Sequence, residues 1–220
     1  MCKELGFLNR KIINCYKCKR LVKFREKIAT EKTKRFIDEE YWGKPVVGYG
    51  DDKARIIILG LAPAAHGGNR TGRVFTGDKS AEFLFRCLYK VKMANKPTSK
   101  NKMDGLILKD VYMTPVLKCV PPNDKPKAEE LKNCFPFFTK EINHLVNAKI
   151  LLALGRIAFD ACLKLYNQSK SKNKFVHGKS YNLTDKLKLF ACYHPSPRNV
   201  NTGRINENKM TKVLDELKRF

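Results

Sequence analysis

The stretch Gly60-Leu-Ala-Pro-Ala-Ala-His-Gly-Gly-Asn-Arg-Thr-Gly-Arg-Val-Phe-Thr-Gly-Asp78 decides the fold of this chain. It leaves the apolar run Ile56 to Leu59 and enters a helical pattern over Ser80 to Val91. A polar, glycine-rich loop at a strand end is where open α/β sheets hold their ligands. Its five glycines and the small residues Ala62, Ala64 and Ala65 let backbone approach a flat ligand closely. His66, Asn69, Arg70, Arg73 and Asp78 add polar chemistry to it. An ordinary strand-to-helix turn needs one glycine and not this density of charged and amide side chains.

Outward from this loop, Val111 to Leu117, Ile150 to Leu154 and Leu187 to Tyr193 are three more apolar runs of strand length. Helical patterns lie between or after them, at Lys127 to Val146, Arg156 to Tyr166 and Glu207 to Phe220. That alternation predicts an α/β fold with a central, mainly parallel four-stranded sheet and helices on both faces. Residues 7 to 35 read as a charged helix interrupted by Cys15-Tyr-Lys-Cys18, and Tyr41 to Asp52 as an extended segment. The Lys-, Asn- and Ser-rich stretches 94–105 and 167–182 read as surface loops. No linker or repeat divides the chain, so residues 1–220 are expected to form one domain.

Of 220 residues 43% are hydrophobic, which excludes a disordered chain, and Lys plus Arg outnumber Asp plus Glu by 45 to 21. The resulting charge of +24 exceeds what solubility requires and points to a polyanion, nucleic acid first. A Lys-rich surface adapted to heat is the plainer explanation of the same charge. No apolar run is long enough to span a bilayer, so no membrane partner is expected, and Met1 to Arg10 lacks a signal peptide's apolar core. An intracellular protein is expected.

Eight cysteines in a reducing compartment read as metal ligands plus buried thiols. Cys15 and Cys18 form a C-x-x-C pair; Cys119 ends a strand before Pro121-Pro122, and Cys134 falls on the following helix. If that helix packs back along the strand, the four converge, as zinc or a 4Fe-4S cluster requires. Zinc sites more often show two knuckle-like pairs, whereas Cys119 and Cys134 are separated by fourteen residues, a spacing that leans toward the cluster. Buried apolar thiols remain the plain reading of Cys119 and Cys134. Cys87, Cys162 and Cys192 fit core positions, and terminal Cys2 carries no information.

After the fourth strand run comes Tyr193-His-Pro-Ser-Pro-Arg-Asn-Val-Asn-Thr-Gly-Arg204. A histidine at a strand end, followed by a stiff Pro-Ser-Pro turn and two arginines flanked by amides, can set one imidazole at a reactive centre while the loop presses on phosphates.

The loop Gly60 to Asp78, the turn Cys119-Val-Pro-Pro-Asn-Asp-Lys-Pro126 and the segment Tyr193 to Arg204 together resemble the uracil-DNA glycosylase superfamily. Within it the likeness is to the B-type, or family 5, enzymes of archaea and some bacteria, from about Cys15 to the C-terminus. The family 4 branch, which shares the four cysteines, carries an acid where this chain has Leu61. The resemblance implies a monofunctional base-excision repair enzyme that hydrolyses the N-glycosidic bond of uracil in DNA. It also implies a 4Fe-4S cluster on Cys15, Cys18, Cys119 and Cys134, stapling the N-terminal helix, with zinc the second choice. The cellular setting implied is a prokaryotic, archaeal cytoplasm; a monomer is expected, and no replication-clamp partner is readable in the chain.

The chemistry of such a reaction assigns candidate roles. A glycosylase rotates the nucleotide out of the stack, then stabilises a cationic sugar and an anionic leaving base. Several other branches activate water with an Asn or Asp where this chain has Ala62, Pro63 and Ala64, which leaves the carboxylate role to Asp78. Asp78 also stands where a helix N-cap belongs. His194 is expected to hydrogen-bond the leaving base. Ala62, Ala64, His66, Phe75 and Asn123 are the candidate base contacts, with Phe75 either stacking on the flipped ring or packed in the core. Asn69, Arg70, Arg73, Arg198, Asn199 and Arg204 are the candidate DNA contacts. The small first turn predicts a roomy pocket that accepts hypoxanthine or hydroxymethyluracil besides uracil. A metal-stapled nucleic-acid-binding module without catalysis is the competing class.

Overall fold

The computed structural model describes residues 3–220, and Cys2 lies outside them. The chain runs through α1 (Lys3–Ile13), α2 (Lys19–Glu31), β1 (Tyr49–Gly50), β2 (Ile56–Gly60), α3 (Gly68–Thr71), α4 (Lys79–Lys90) and β3 (Val111–Pro115). It continues through α5 (Ala128–His144), β4 (Ile150–Leu154), α6 (Arg156–Leu165), β5 (Ser180–Asn182), β6 (Lys188–Cys192), α7 (Pro197–Asn201) and α8 (Glu207–Leu217).

One sheet orders these strands β1-β3-β2-β4-β6-β5, with β3, β2, β4 and β6 parallel. The sheet therefore has six strands, not four. The two additions are antiparallel edges of two and three residues, β1 on β3 and β5 on β6. Neither carries an apolar face, so periodicity could not reveal them; β5 falls inside 167–182, read from sequence as a surface loop.

The central strands read as continuous apolar runs because both faces are covered. Ile56 and Ile58 join the core cluster that takes in Leu84, Leu88, Met210 and Leu214 of α4 and α8. Ile57 and Leu59 join the opposite cluster with Leu8, Phe138 and Phe159 of α1, α5 and α6. In α4 the buried residues Ala81, Leu84, Phe85 and Leu88 recur at i, i+3, i+4 and i+7, one helical stripe. Each large side chain so covered contributes about 1.5–3 kcal/mol. The first-turn acids Glu129 and Glu130 open α5 as read from sequence. The charged N-terminal stretch forms two helices, and α1 packs on α5.

From β2 the chain crosses to β3 on one side and then to β4 on the other. The carboxyl ends of β2 and β4 thus flank a topological switch point, where the loops diverge and leave a crevice. No helix among the described residues is long and apolar enough to cross a membrane.

Candidate active site

A cleft of about 690 Å³ opens at these carboxyl ends. Leu61, Ala62, Ala64, Phe75 and Asp78 reach it from the loop after β2, Asp124 from the turn after β3, Leu154 to Ala158 from β4 and α6, and His194 from the end of β6. The size is in the range of small-molecule sites. Asp78 and His194, 116 positions apart in sequence, are brought to one hollow.

Asp78 is held by backbone. Its Oδ1 accepts a hydrogen bond from the Ala81 amide at 2.9 Å, capping α4. Gly67 is required opposite it, since a Cβ there would collide with Asp78 Oδ2. Burial raises the Asp78 pKa, opposed by the Ala81 and Ser80 amides, so this carboxylate is a better proton acceptor than an exposed one.

His194 lies two residues beyond β6, and its carbonyl accepts from the Asn199 side-chain amide at 2.8 Å. Behind it, His177 stacks on Tyr193 with ring centroids 5.2 Å apart and accepts the Tyr193 N–H at Nδ1. Desolvation pushes the His194 imidazole down to about 4, leaving it neutral at physiological pH. A neutral imidazole retains one N–H to donate. Phe75 is both core and cleft wall: it belongs to the cluster under α4, and a Cβ on Gly60 would sit 2.6 Å from its ring. Its φ of 50° is a left-handed conformation that a bulky residue adopts only when its surroundings enforce it.

Several expected contacts lie elsewhere. Arg73 is not on a DNA-facing rim but buried, with Nη2 2.6 Å from Asp104 and 2.9 Å from Ser99 Oγ. Burial raises Asp104, yet its hydrogen bonds from Arg73 prevail and hold it at about 2. Arg70 is buried as well, ion-paired to Glu39, donating to the Gly77 carbonyl and lying 3.8 Å over the Phe36 ring. Asn69 is buried and donates to the Arg25 carbonyl at 3.1 Å. These three shape the loop from inside, because a loop this rich in turns must satisfy its carbonyls locally. His66 pairs with the Tyr41 hydroxyl at 3.0 Å and is absent from the cleft wall. Asn199 braces His194 rather than facing outward. Arg198 and Arg204 are exposed and remain available.

The Pro121-Pro122 turn places Asp124 on the cleft wall, not Asn123. Both residues have positive φ, 54° and 55°, a paired left-handed step that spacing does not reveal. Arg156 and the partly exposed Ile157 also line the cleft. The strand-end rule could have found them, since they follow β4 by two and three residues.

Beside the cleft, Cys15, Cys18, Cys119 and Cys134 line a single hollow with Leu21 and Phe137. Lys118, the residue before Cys119, is buried in an ion pair with Glu141, which also accepts from Thr114, Tyr112 and the Gly48 amide. That network fixes the exit of β3. The Lys118 amide donates to Cys134 Sγ at 3.3 Å. Arg25, fully buried, donates to Cys119 Sγ and the Cys15 carbonyl, both at 3.1 Å, while its Nε and Nη2 find no hydrogen-bond partner. Among the described residues no group of three or more His, Cys, Asp or Glu is placed to hold a single metal ion. Ala62 packs against the cysteine cluster and also lines the cleft, so the two sites share a wall. Cys87, Cys162 and Cys192 are core residues, as read from sequence.

The sequence profile described as Uracil DNA glycosylase superfamily matches residues 47–218. The chain is 43% identical to a type-5 uracil-DNA glycosylase of Pyrobaculum aerophilum, over 94% of this chain and 89% of the relative. It is 43% identical to one of Thermus thermophilus, over 94% and 93% of the two chains, and 40% identical to one of Mycobacterium bovis, over 97% and 80%. With the cleft where the strand order reverses and both long motifs facing it, the chain belongs to the uracil-DNA glycosylase superfamily and, within it, to the type-5 branch.

Proposed function

We propose that this protein removes uracil from DNA by hydrolysing its N-glycosidic bond. The observation that carries this reading is that Asp78 and His194, from separate strand ends, line one cleft. A stacked base is out of reach, so the nucleotide is rotated into the cleft. Arg198 and Arg204, exposed on the segment after β6, hold the backbone that this distorts. As the glycosidic bond stretches, the partly buried Asp78 carboxylate stabilises the cationic sugar and orients the water that attacks it. Neutral His194 donates its N–H to the departing base, whose negative charge it disperses. With the Asp78 carboxylate pinned by the Ala81 amide and the His194 backbone by Asn199, little rearrangement is needed at the moment of reaction.

Ala62 and Ala64 leave the base-facing wall without a polar side chain, which supports acceptance of hypoxanthine and other deaminated bases besides uracil. The reading extends to a monomeric, intracellular repair enzyme. The four cysteines fit a 4Fe-4S cluster better than zinc: all four line one hollow, fourteen residues separate Cys119 from Cys134, and the buried Arg25 donates to Cys119 Sγ from behind. In a cluster each thiolate binds a different iron, so the sulfurs stand apart. When bound, the cluster would cross-link the segment between α1 and α2, the Cys119 turn and α5 and add folding free energy.

Strand incision after alkaline treatment, on single-lesion duplexes carrying uracil, hypoxanthine or hydroxymethyluracil, tests the reading. Cleavage at uracil is expected, with the other lesions also processed. No base release from any duplex would leave only a binding module.

A further inference from the structure

Arg25 is the one fully buried arginine of the chain's described core. Its one carboxylate neighbour is the half-exposed Glu26, 4.0 Å from Nη2 and beyond hydrogen-bond reach. Its guanidinium lies 5.0 Å from the Tyr16 ring centroid, donates through Nη1 to Cys119 Sγ and the Cys15 carbonyl, and leaves Nε and Nη2 without hydrogen-bond partners. A buried cation with N–H groups left unsatisfied is costly unless a negative group faces it closely. The other buried guanidiniums, those of Arg73 and Arg70, each have such a group in Asp104 and Glu39. Arg25 has no carboxylate within hydrogen-bond reach; its hydrogen bonds go to Cys119 Sγ and the Cys15 carbonyl.

We infer that Arg25 is the counter-charge and hydrogen-bond donor of the four-thiolate cluster, and that it ties the cluster to the catalytic loop. This rests on the cluster reading above. Four thiolates give a 4Fe-4S group net negative charge, and donors to its sulfurs stabilise it and raise its reduction potential. Arg25 supplies both a positive charge and N–H groups from inside the protein, with no solvent to compete. Its backbone completes the link: the Arg25 carbonyl accepts the Asn69 side-chain amide at 3.1 Å, and Asn69 lies in the loop that ends at Asp78. Arg25 acts through the cluster and the loop; it is a positioning residue, remote from the base.

The test compares wild type, Arg25→Met, Arg25→Lys and, as a control with the same loss of charge on the same helix, Lys23→Met at an exposed site. Iron and sulfide are assayed on anaerobically purified protein, the decay of visible absorbance is followed in air, and the midpoint potential is measured by voltammetry. Arg25→Met should lose its absorbance about tenfold faster than wild type, with a more negative potential. Arg25→Lys, which keeps charge but not the planar fork, should fall between, and Lys23→Met should match wild type. Should Arg25→Met fail to fold, Arg25→Lys alone must shift both the decay and the potential. Wild-type decay and potential in the Arg25 variants would overturn the inference while leaving the cluster intact. A wild-type protein without iron and sulfide would instead overturn the cluster reading on which it stands.

Discussion

The cleft and the cysteine corner share the wall at Ala62, yet they treat buried polar groups in opposite ways. In the cleft, Asp78 is pinned by a backbone amide and His194 by Asn199 on its carbonyl, and burial moves both pKa values toward the neutral form. In the corner, Arg25, Lys118 and Glu141 are sealed from water, and Lys118 and Glu141 are paired. The first arrangement keeps reactive atoms free for a substrate; the second spends polar groups on each other to fix geometry. Loop 60–78 joins the two, reactive at its end and braced by buried arginines along its middle.

The sharpest way to break this contrast is Asp78→Asn. Asparagine still caps α4, so the melting point should stay within a few degrees while single-turnover excision slows by about 10²–10³-fold, as when one transition-state contact is lost. A normal rate would remove Asp78 from the chemistry. His194→Ala should slow excision less, by about 10²-fold, with iron content unchanged. An unaltered rate would reassign the leaving-group contact.

Arg73→Met tests the middle of the loop. It leaves the partly buried Asp104 carboxylate with only its backbone donors and the Ser99 and Thr76 hydroxyls without Arg73, so denaturant unfolding should show a loss of about 3 kcal/mol, the low end for removing one partner of a buried pair. If DNA affinity fell while stability held, Arg73 would belong to the DNA surface after all.

The pH response sharpens the cleft's half of the comparison. His194 is pushed down to about 4, so excision should show no inflection near pH 6.5. Below pH 6.5 the unfolded chain takes up the proton first, and the fold loses stability until the pH reaches the folded value. His194→Ala should therefore flatten the fall in melting point between pH 6.5 and 4. An identical fall in both proteins would show that the ring is not desolvated. The smallest effect is expected at Arg204→Ala, where the slope of DNA affinity against salt should drop by about one unit without any change in the rate on saturating DNA.

Much of this was legible in the chain. The runs at Ile56, Val111, Ile150 and Leu187 became the four parallel strands, because a sheet covered on both faces needs uninterrupted apolar residues. The loops ending at Asp78 and opening at His194 announced themselves by composition. The edge strands did not, since Tyr49–Gly50 and Ser180–Asn182 are specified by pairing and not by pattern. Asp104 and Ser99 were hidden in a stretch that reads as a polar loop, yet they seal Arg73 inside.

Sequence by itself settled which residue types exist to do chemistry, because local pattern and loop composition are properties of neighbours along the chain. It also showed two strand ends carrying an acid and an imidazole. Only the tertiary structure decided which charges face water and which face each other. Arg70 and Arg73 look like DNA-facing cations in the sequence, but the fold closes over both, and over Arg25 as well, since burial depends on contacts between segments far apart in the chain.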